Sequence, residues 1–426
     1  MRTTLVAAAA ALSLLIPLAP GTATAQGNPP VTAENADRVD GHEDTSGTAT
    51  PAPRESAPDT DGCPYEVSPS PAHTTSEAVA PGAQTPAALA VPEVPAGGAK
   101  MSNCGVTVPA GMEVPADLTA SAWMVFDLDS GEILAAKDPH GRYRPASIIK
   151  VLLALVAIDE LDPARVVTGT REAAEIEGSR VGVGEGGVYT VDQLLHGLLM
   201  ASGNDAAYLL AQELGGDERT LDKVNSLARD LGAEDTRAAT YSGLDAAGMS
   251  TSAYDMALIY RRAWQNPTFA EIVGTDHVDF PGWGDNEGFQ VWNDNGLFMN
   301  DPDGIGGKTG YTDDAHHTFV GAVNRDGRRR GAVILDTTVD HGRPWEQARK
   351  LIDASLVVPT GSAVGQLGGP AADTGTVSAA PPATVPGDSP DSPTDPLTGA
   401  MRIILPIAAV VLLLLAALVW TFRRRP

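Results

Sequence analysis

The chain has 426 residues, with 54 acidic side chains against 29 basic ones, a formal charge of −25 and a pI ≈ 4.5. That balance argues against a nucleic-acid partner and against adhesion to anionic lipid through basic patches; it reads as a solvated acidic surface.

Met1-Arg2 precede an apolar stretch from Leu5 to Leu18, and Ala23-Thr24-Ala25 offers a small-residue cleavage site before Gln26. Residues 1–25 are therefore expected to be a secretory signal peptide. Residues 26–114 form a low-complexity N-terminal segment. From Gln26 to about Cys104 it is rich in Pro, Ala, Thr and Ser, and is expected to be a disordered linker, because such sequence cannot bury enough apolar surface to offset its chain entropy. Cys63 and Cys104 would then sit in an oxidising compartment. A bridge between them would close a loop of 41 intervals, worth about 4 kcal/mol in the chain-entropy model, and would tether the segment to the domain; free or intermolecular thiols are the alternative.

The folded part is expected over residues 115–358, long enough for one domain with a sizeable core. Ala122 to Phe126 and Ile133 to Ala136 flank Asp129-Ser130-Gly131, which reads as a hairpin. Pro145-Ala146 then precede an apolar run, Ile148-Ile149 and Val151 to Ile158, which reads as a buried helix with a start signal. Ser147 falls in its first turn and Lys150 three residues on, on the same face. A serine hydroxyl needs a neighbouring base to become a nucleophile, and lysine is that base only when neutral. Burial beside Ile148 and Ile149, and a second cation such as Lys308, would both lower its pKa. Taken alone, this S-x-x-K is equally a capping serine and a surface lysine on a core helix.

Val191 to Met200 is apolar at helical spacing and Ala206 to Leu210 resumes the pattern, so Ser202-Gly203-Asn204 is a tight loop between two helices. It can present a hydroxyl and a carboxamide to a cleft, or simply turn the chain and cap the next helix with Asn204 or Asp205. Gly304 to Thr312 is a glycine-rich, edge-like strand containing Lys308-Thr309-Gly310, as expected where a substrate backbone approaches closely. Lys308, Thr309 and Thr312 supply a cation and hydroxyls suited to a terminal carboxylate, and a peptide can add to such a strand by backbone hydrogen bonds. His317 to Val323 and Gly331 to Leu335 flank Asn324-Arg325-Asp326-Gly327, a hairpin turn signal, and a helix follows near Pro344 to Leu356.

Residues 359–402 are again linker-like, rich in Pro, Gly and Ala. Residues 403–422, Ile403 to Phe422, are uncharged and span about 30 Å as a helix, enough to cross a bilayer. Residues 423–426 begin with Arg423-Arg424-Arg425, which are expected to stay on the cytoplasmic side and so hold the catalytic domain outside the cell membrane on a single-pass anchor.

S-x-x-K at Ser147–Lys150, S-x-N at Ser202–Asn204 and K-T-G at Lys308–Gly310 each occur once, in that order. Together they resemble the penicillin-recognising serine enzymes. Tyr143 to Ser147, Gly178 to Gly182, Met200 to Ala207, Ser250 to Ala257 and Asn293-Asp294-Asn295 are similar to the serine-type D-alanyl-D-alanine carboxypeptidases, over roughly Pro115 to Leu356. The resemblance implies an α+β fold of the β-lactamase/DD-peptidase type, an antiparallel sheet covered by helices. It implies removal of the terminal D-alanine of peptidoglycan stem peptides ending in D-Ala-D-Ala, through an acyl-enzyme on Ser147, with β-lactam antibiotics as covalent inhibitors. Carried onto this chain, Lys150 is the base, and Ser202 and Asn204 complete the proton relay. Lys308, Thr309, Gly310 and Thr312 bind the substrate, and the backbone N–H groups of Ser147 and Tyr311 form an oxyanion hole.

The chain departs from that pattern at Ala315-His316-His317, where many relatives have Ala-Gly, which bears on substrate fit and not on the chemistry. Because only low-complexity sequence follows Val358 before the apolar segment, the small β-rich domain that several relatives carry after the catalytic one is not expected here. No E-x-x-L-N element lies between Asn204 and Lys308, against a class A β-lactamase. No H-E-x-x-H exists, against a zinc peptidase, so neither metal nor cofactor is expected. A non-catalytic wall-binding protein would tolerate loss of any motif residue, yet all are present. Cleavage of cross-links as a DD-endopeptidase is the nearest alternative activity.

Overall fold

The computed structural model describes residues 53–368. In chain order the elements are β1 (Val106–Thr107), β2 (Ala122–Asp127), β3 (Glu132–Lys137), α1 (Lys150–Glu160), β4 (Val166–Thr168), α2 (Arg171–Ala174), β5 (Val188–Thr190), α3 (Val191–Met200), α4 (Asn204–Glu213), α5 (Asp217–Leu231), α6 (Ala253–Trp264) and α7 (Pro267–Val273). Then come β6 (His277–Phe280), β7 (Phe289–Trp292), α8 (Gly296–Asn300), β8 (Gly304–Thr312), β9 (His316–Arg325), β10 (Arg328–Thr337), α9 (Pro344–Ser355) and β11 (Gly365–Gln366).

One antiparallel sheet organises them, in the order β1-β3-β2-β10-β9-β8, with β11 beside β3. Its central strands are buried on both faces, and the two-residue alternation of side chains feeds two separate cores. Met124 and Phe126 of β2 and Val333 and Leu335 of β10 point into the larger core with α1, α3, α4 and α6. Trp123, Val125, Ala332 and Ile334 point the other way, onto Ala348, Leu351 and Ile352 of α9. The expected α+β layering is therefore present. Both predicted hairpins form, and Asp326 and Gly327 between β9 and β10 both have positive φ, as a two-residue type I′ turn requires. Two small hairpins, β4–β5 and β6–β7, were not expected from the sequence, which reads as helical throughout its centre.

The reading of residues 26–114 as a disordered linker fails from Pro53 onward. This strap is almost without regular secondary structure, yet its carbonyls satisfy buried cations of the domain. Arg142 donates to the carbonyls of Val67, Leu89 and Ala90 at 2.6–2.8 Å, Arg237 to Ala87 O and Lys137 to Pro58 O. Arg144 donates to Ser70 O and pairs with Glu77 at 2.5 Å. The low apolar content that suggested disorder is replaced here by polar cross-links, which composition does not reveal. Cys63 and Cys104 form a disulfide, with Cα atoms 5.3 Å apart, that closes the strap on itself. The expected boundary at Val358 is also too early, because Val364 N donates to Ile133 O and β11 extends the sheet. The expected leader over residues 1–25, most of the second linker and the apolar segment 403–422 lie outside the described residues. Among the described residues no helix is long and apolar enough to cross a membrane.

Candidate active site

Three elements meet at Ser147. The serine lies in a 3-10 turn, Ala146–Ile149, that runs directly into α1, so it precedes the α-helix proper and does not sit inside it as the sequence suggests. Ala146 has φ 48, a left-handed conformation unusual for a residue with a side chain, and Ser202 has φ 59. Strained backbone thus flanks the serine and forms the loop opposite, as is common where geometry is imposed by function.

Lys150, the first residue of α1, is fully buried, and its Nζ lies 2.8 Å from Ser147 Oγ. The ammonium is held well below its usual pKa, first by burial and then by the neighbouring Lys308 cation, as expected from the sequence. A second hydrogen bond runs from Nζ to Ser242 O at 2.5 Å. Ser242 carries no motif and sequence reasoning missed it. The following Gly243 has φ +88, and a Cβ there would lie 2.1 Å from Ala146 O, so only glycine lets this loop close over the serine turn.

The S-x-N loop spans Ala201–Gly203 between α3 and α4, as expected. Asn204 donates from Nδ2 to Glu177 O at 2.7 Å, while its Oδ1 is buried with no partner among the described residues. It does not cap α4. Asp205 does not cap it either but receives the N–H groups of Val181, Gly182 and Val183, fixing the loop beside Asn204. Ser202 is 6% exposed, and no hydrogen bond joins it to Lys150.

The K-T-G segment lies in β8, the edge strand of the sheet. A Cβ on Gly310 would lie 3.0 Å from Ser147 N and 2.3 Å from Thr318 Oγ1, so the glycine lets the strand backbone close on the serine. Tyr311 follows at once, half exposed, which brings its backbone beside that of Ser147. Thr318 Oγ1 donates to Pro145 O at 2.7 Å and ties β9 to the same turn. Lys308 is fully buried; burial lowers its pKa and Asp294 partly restores it. Thr309 Oγ1 donates to Asp294 Oδ2 at 2.9 Å, and Lys308 Nζ stands 3.6 Å from the same oxygen. Thr312 accepts from Ala315 N within the turn that ends β8.

The strap reaches this end of the site. Asp314 accepts from His73 N, Thr74 N, Thr74 Oγ1 and Ser76 Oγ at 2.5–3.1 Å. His316 is buried, its Nδ1 2.5 Å from Asp336, which also pairs with Arg54, and the His317 ring lies tilted against that of Tyr311, centroids 4.7 Å apart. Neither strap contact was visible in the sequence. Among the described residues no group of three or more His, Cys, Asp or Glu could hold a metal.

A family model described as D-alanyl-D-alanine carboxypeptidase matches residues 109–339. The chain belongs to this family. Among its relatives, D-alanyl-D-alanine carboxypeptidase DacB2 of Mycobacterium tuberculosis is 45% identical over 263 residues, covering 61% of this chain and 90% of the relative. DacF of Bacillus subtilis is 29% identical over 55% of this chain, which spans 61% of that relative's length. Of solved structures, a D-alanyl-D-alanine carboxypeptidase from Mycobacterium tuberculosis is 43% identical, with TM-score 0.59 over 61% of this chain and all of its own. The DD-transpeptidase of Streptomyces is 25% identical, with TM-score 0.54 over 57% of this chain and 98% of its own. The matched region of the carboxypeptidase begins after the strap, at Pro109, so the strap's contacts with Asp314 and Arg144 lie outside what the family model describes.

Proposed function

We propose that this carboxypeptidase removes the terminal D-alanine of peptidoglycan stem peptides by acylation and deacylation of Ser147, and that β-lactams acylate the same oxygen. The observation that carries the reading is the buried Lys150 amine at 2.8 Å from Ser147 Oγ, next to a second buried cation that favours its neutral form. Neutral Lys150 takes the Ser147 proton while Oγ attacks the scissile carbonyl. The backbone N–H groups of Ser147 and Tyr311 receive the charge that builds on the carbonyl oxygen. The proton passes from Lys150, with Ser202 as relay, to the nitrogen of the departing D-alanine, and water then cleaves the ester. The unpartnered Asn204 Oδ1 accepts an N–H of the substrate backbone, and the open edge of β8 pairs with the peptide. Lys308 and Thr309 grip its terminal carboxylate.

The apolar run 403–422 followed by three arginines, and the leader-like residues 1–25, support a membrane-anchored enzyme with its catalytic domain outside the cell. The test is twofold. Labelled penicillin should attach to the wild type and not to Ser147→Ala, and mass spectrometry of muropeptide products should show loss of one alanine from pentapeptides. Label retained by the alanine variant overturns the assignment of Ser147. Products split at cross-links, with pentapeptides untouched, would make the enzyme an endopeptidase.

A further inference from the structure

Asp294 is where it is because its neighbours leave it no choice. Asn293 is buried, its N–H bonded to Asp276 O and its amide to the carbonyls of Val273 and Thr275. Asn295 is fully buried, capping α8 through Phe298 N and reaching Val320 O. Between them Asp294 N donates to Met200 O at the end of α3. The backbone is therefore pinned on both sides, and the one freedom left is rotation of the Asp294 side chain, which is 36% exposed.

That side chain meets the two groups assigned above to the substrate's carboxylate. Its Oδ2 accepts from Thr309 Oγ1 at 2.9 Å and lies 3.6 Å from Lys308 Nζ. A threonine hydroxyl has one proton and donates to one acceptor at a time. Thr309 cannot hold Asp294 and a substrate carboxylate together, and a second anion brought to Lys308 meets the first.

We propose that Asp294 is a specificity-determining residue whose carboxylate competes with the peptide's terminal carboxylate for Thr309 and Lys308. Substrate enters by exchanging one carboxylate for another. The inference rests on the clamp reading of Lys308 and Thr309, and it sets how strongly a free C-terminus is favoured over a neutral one. The bond from Asp294 N to Met200 O is made by the backbone, so Asp294→Asn removes the charge and leaves the link between the two loops in place.

The experiment compares a pentapeptide ending in D-Ala-D-Ala with its C-terminal amide, as KM and kcat across pH, for wild type, Asp294→Asn, Asp294→Ala and Lys308→Ala. With Asp294→Asn the KM of the free acid should fall about two- to fivefold, the range of a partly exposed ion pair, while the amide's KM stays put. The charged groups facing Lys308 are Asp294 from its loop and Lys150 from α1. Removing Asp294 takes away the anion that holds the Lys308 proton, so the alkaline fall of kcat/KM for the free acid should move to lower pH. A purely structural role moves neither. If Lys308→Ala discriminates acid from amide as well as wild type does, the clamp reading fails, and this inference with it. If Lys308→Ala loses discrimination while both Asp294 variants keep or raise the free-acid KM, the clamp stands and the inference is overturned. Asp294→Ala keeps the question answerable should the asparagine variant fold poorly.

Discussion

The carbonyl of Ser242 stands 2.5 Å from Lys150 Nζ, on a segment 92 residues further along the chain, and fixes the amine that faces Ser147 at 2.8 Å. A neutral amine keeps two hydrogens and one lone pair, so it can donate to Ser242 O while accepting from the Ser147 hydroxyl. The carbonyl thus selects the direction of the lone pair without supplying a charge that would keep the lysine protonated.

From this follows a pH dependence with a fixed sign. Lys150 works only when neutral, so penicillin acylation should rise with pH through its depressed pKa and level off above it. Lys308→Met removes the second cation, which raises the Lys150 pKa and moves the acid limb to higher pH. Stopped-flow acylation rates of the two proteins between pH 5 and 10 check this; an acid limb that stays in place would remove Lys308 from the activation of Lys150.

Glycine at two positions lets three segments converge. Gly310→Ala puts a methyl 3.0 Å from Ser147 N and 2.3 Å from Thr318 Oγ1, and Gly243→Ala puts one 2.1 Å from Ala146 O at a positive φ. Each should cost about 1–3 kcal/mol of stability through overpacking. Acylation should slow by about a hundredfold, because a displacement near 1 Å at the reacting groups is enough for that. Thermal melts and penicillin labelling measure both effects, and labelling at wild-type rate would show that the contacts relax harmlessly.

The three motifs and the sheet strands were legible because each is local. The apolar run from Val151 to Ala157 announces α1, Asp326-Gly327 announces its turn, and Lys308-Thr309-Gly310 announces its strand. What the sequence hides is contact between distant segments. Nothing near Ser242 hints that its carbonyl reaches Lys150, and Asn293-Asp294-Asn295 resembles a family pattern without revealing that the middle residue engages Thr309. The strap is the clearest case. Its composition is that of a linker, and its order comes from arginines at 142, 144 and 237, whose partners in the strap lie more than fifty residues away and leave no local pattern. The short strands His277 to Phe280 and Phe289 to Trp292 were also missed, because four-residue alternations amid helices carry little local signal.

Opening the Cys63–Cys104 bridge tests the strap. The bond closes a loop of 41 residues' separation, worth about 4 kcal/mol in the chain-entropy model. Cys63→Ser with Cys104→Ser should lower the melting temperature and expose the strap to protease, because detachment strips Arg142 and Arg144 of their shorter hydrogen bonds and leaves only the longer ones to Asp235 and to Asp314 O. Labelling by penicillin should also weaken, since Asp314 at the end of β8 loses its partners Thr74 and Ser76. A variant with the wild-type melting temperature and protease pattern would show that the arginine contacts alone hold the strap.

Asp138 offers a stability test separate from catalysis. It is buried at the end of β3 with φ 45, and Tyr143 Oη donates to it at 2.6 Å. Burial lifts its pKa from 3.8 to about 6, with the Tyr143 hydrogen bond and Lys137 opposing the rise only in part. A carboxyl whose folded pKa is raised favours folding at low pH and loses that contribution as pH climbs through the folded value. Wild type should therefore lose stability between about pH 4 and 6, by roughly 3 kcal/mol at most for a rise of two pH units. Asp138→Asn keeps an acceptor for Tyr143 and has no proton to lose, so its stability relative to wild type should climb over that window and be flat above it. Urea unfolding of both proteins at pH 4, 5, 6 and 7 isolates the difference, since every other carboxylate is shared. A difference that shrinks as pH rises would mean that ionised Asp138 is stabilised by Lys137 and Tyr143 more than burial costs it, reversing the sign argued here.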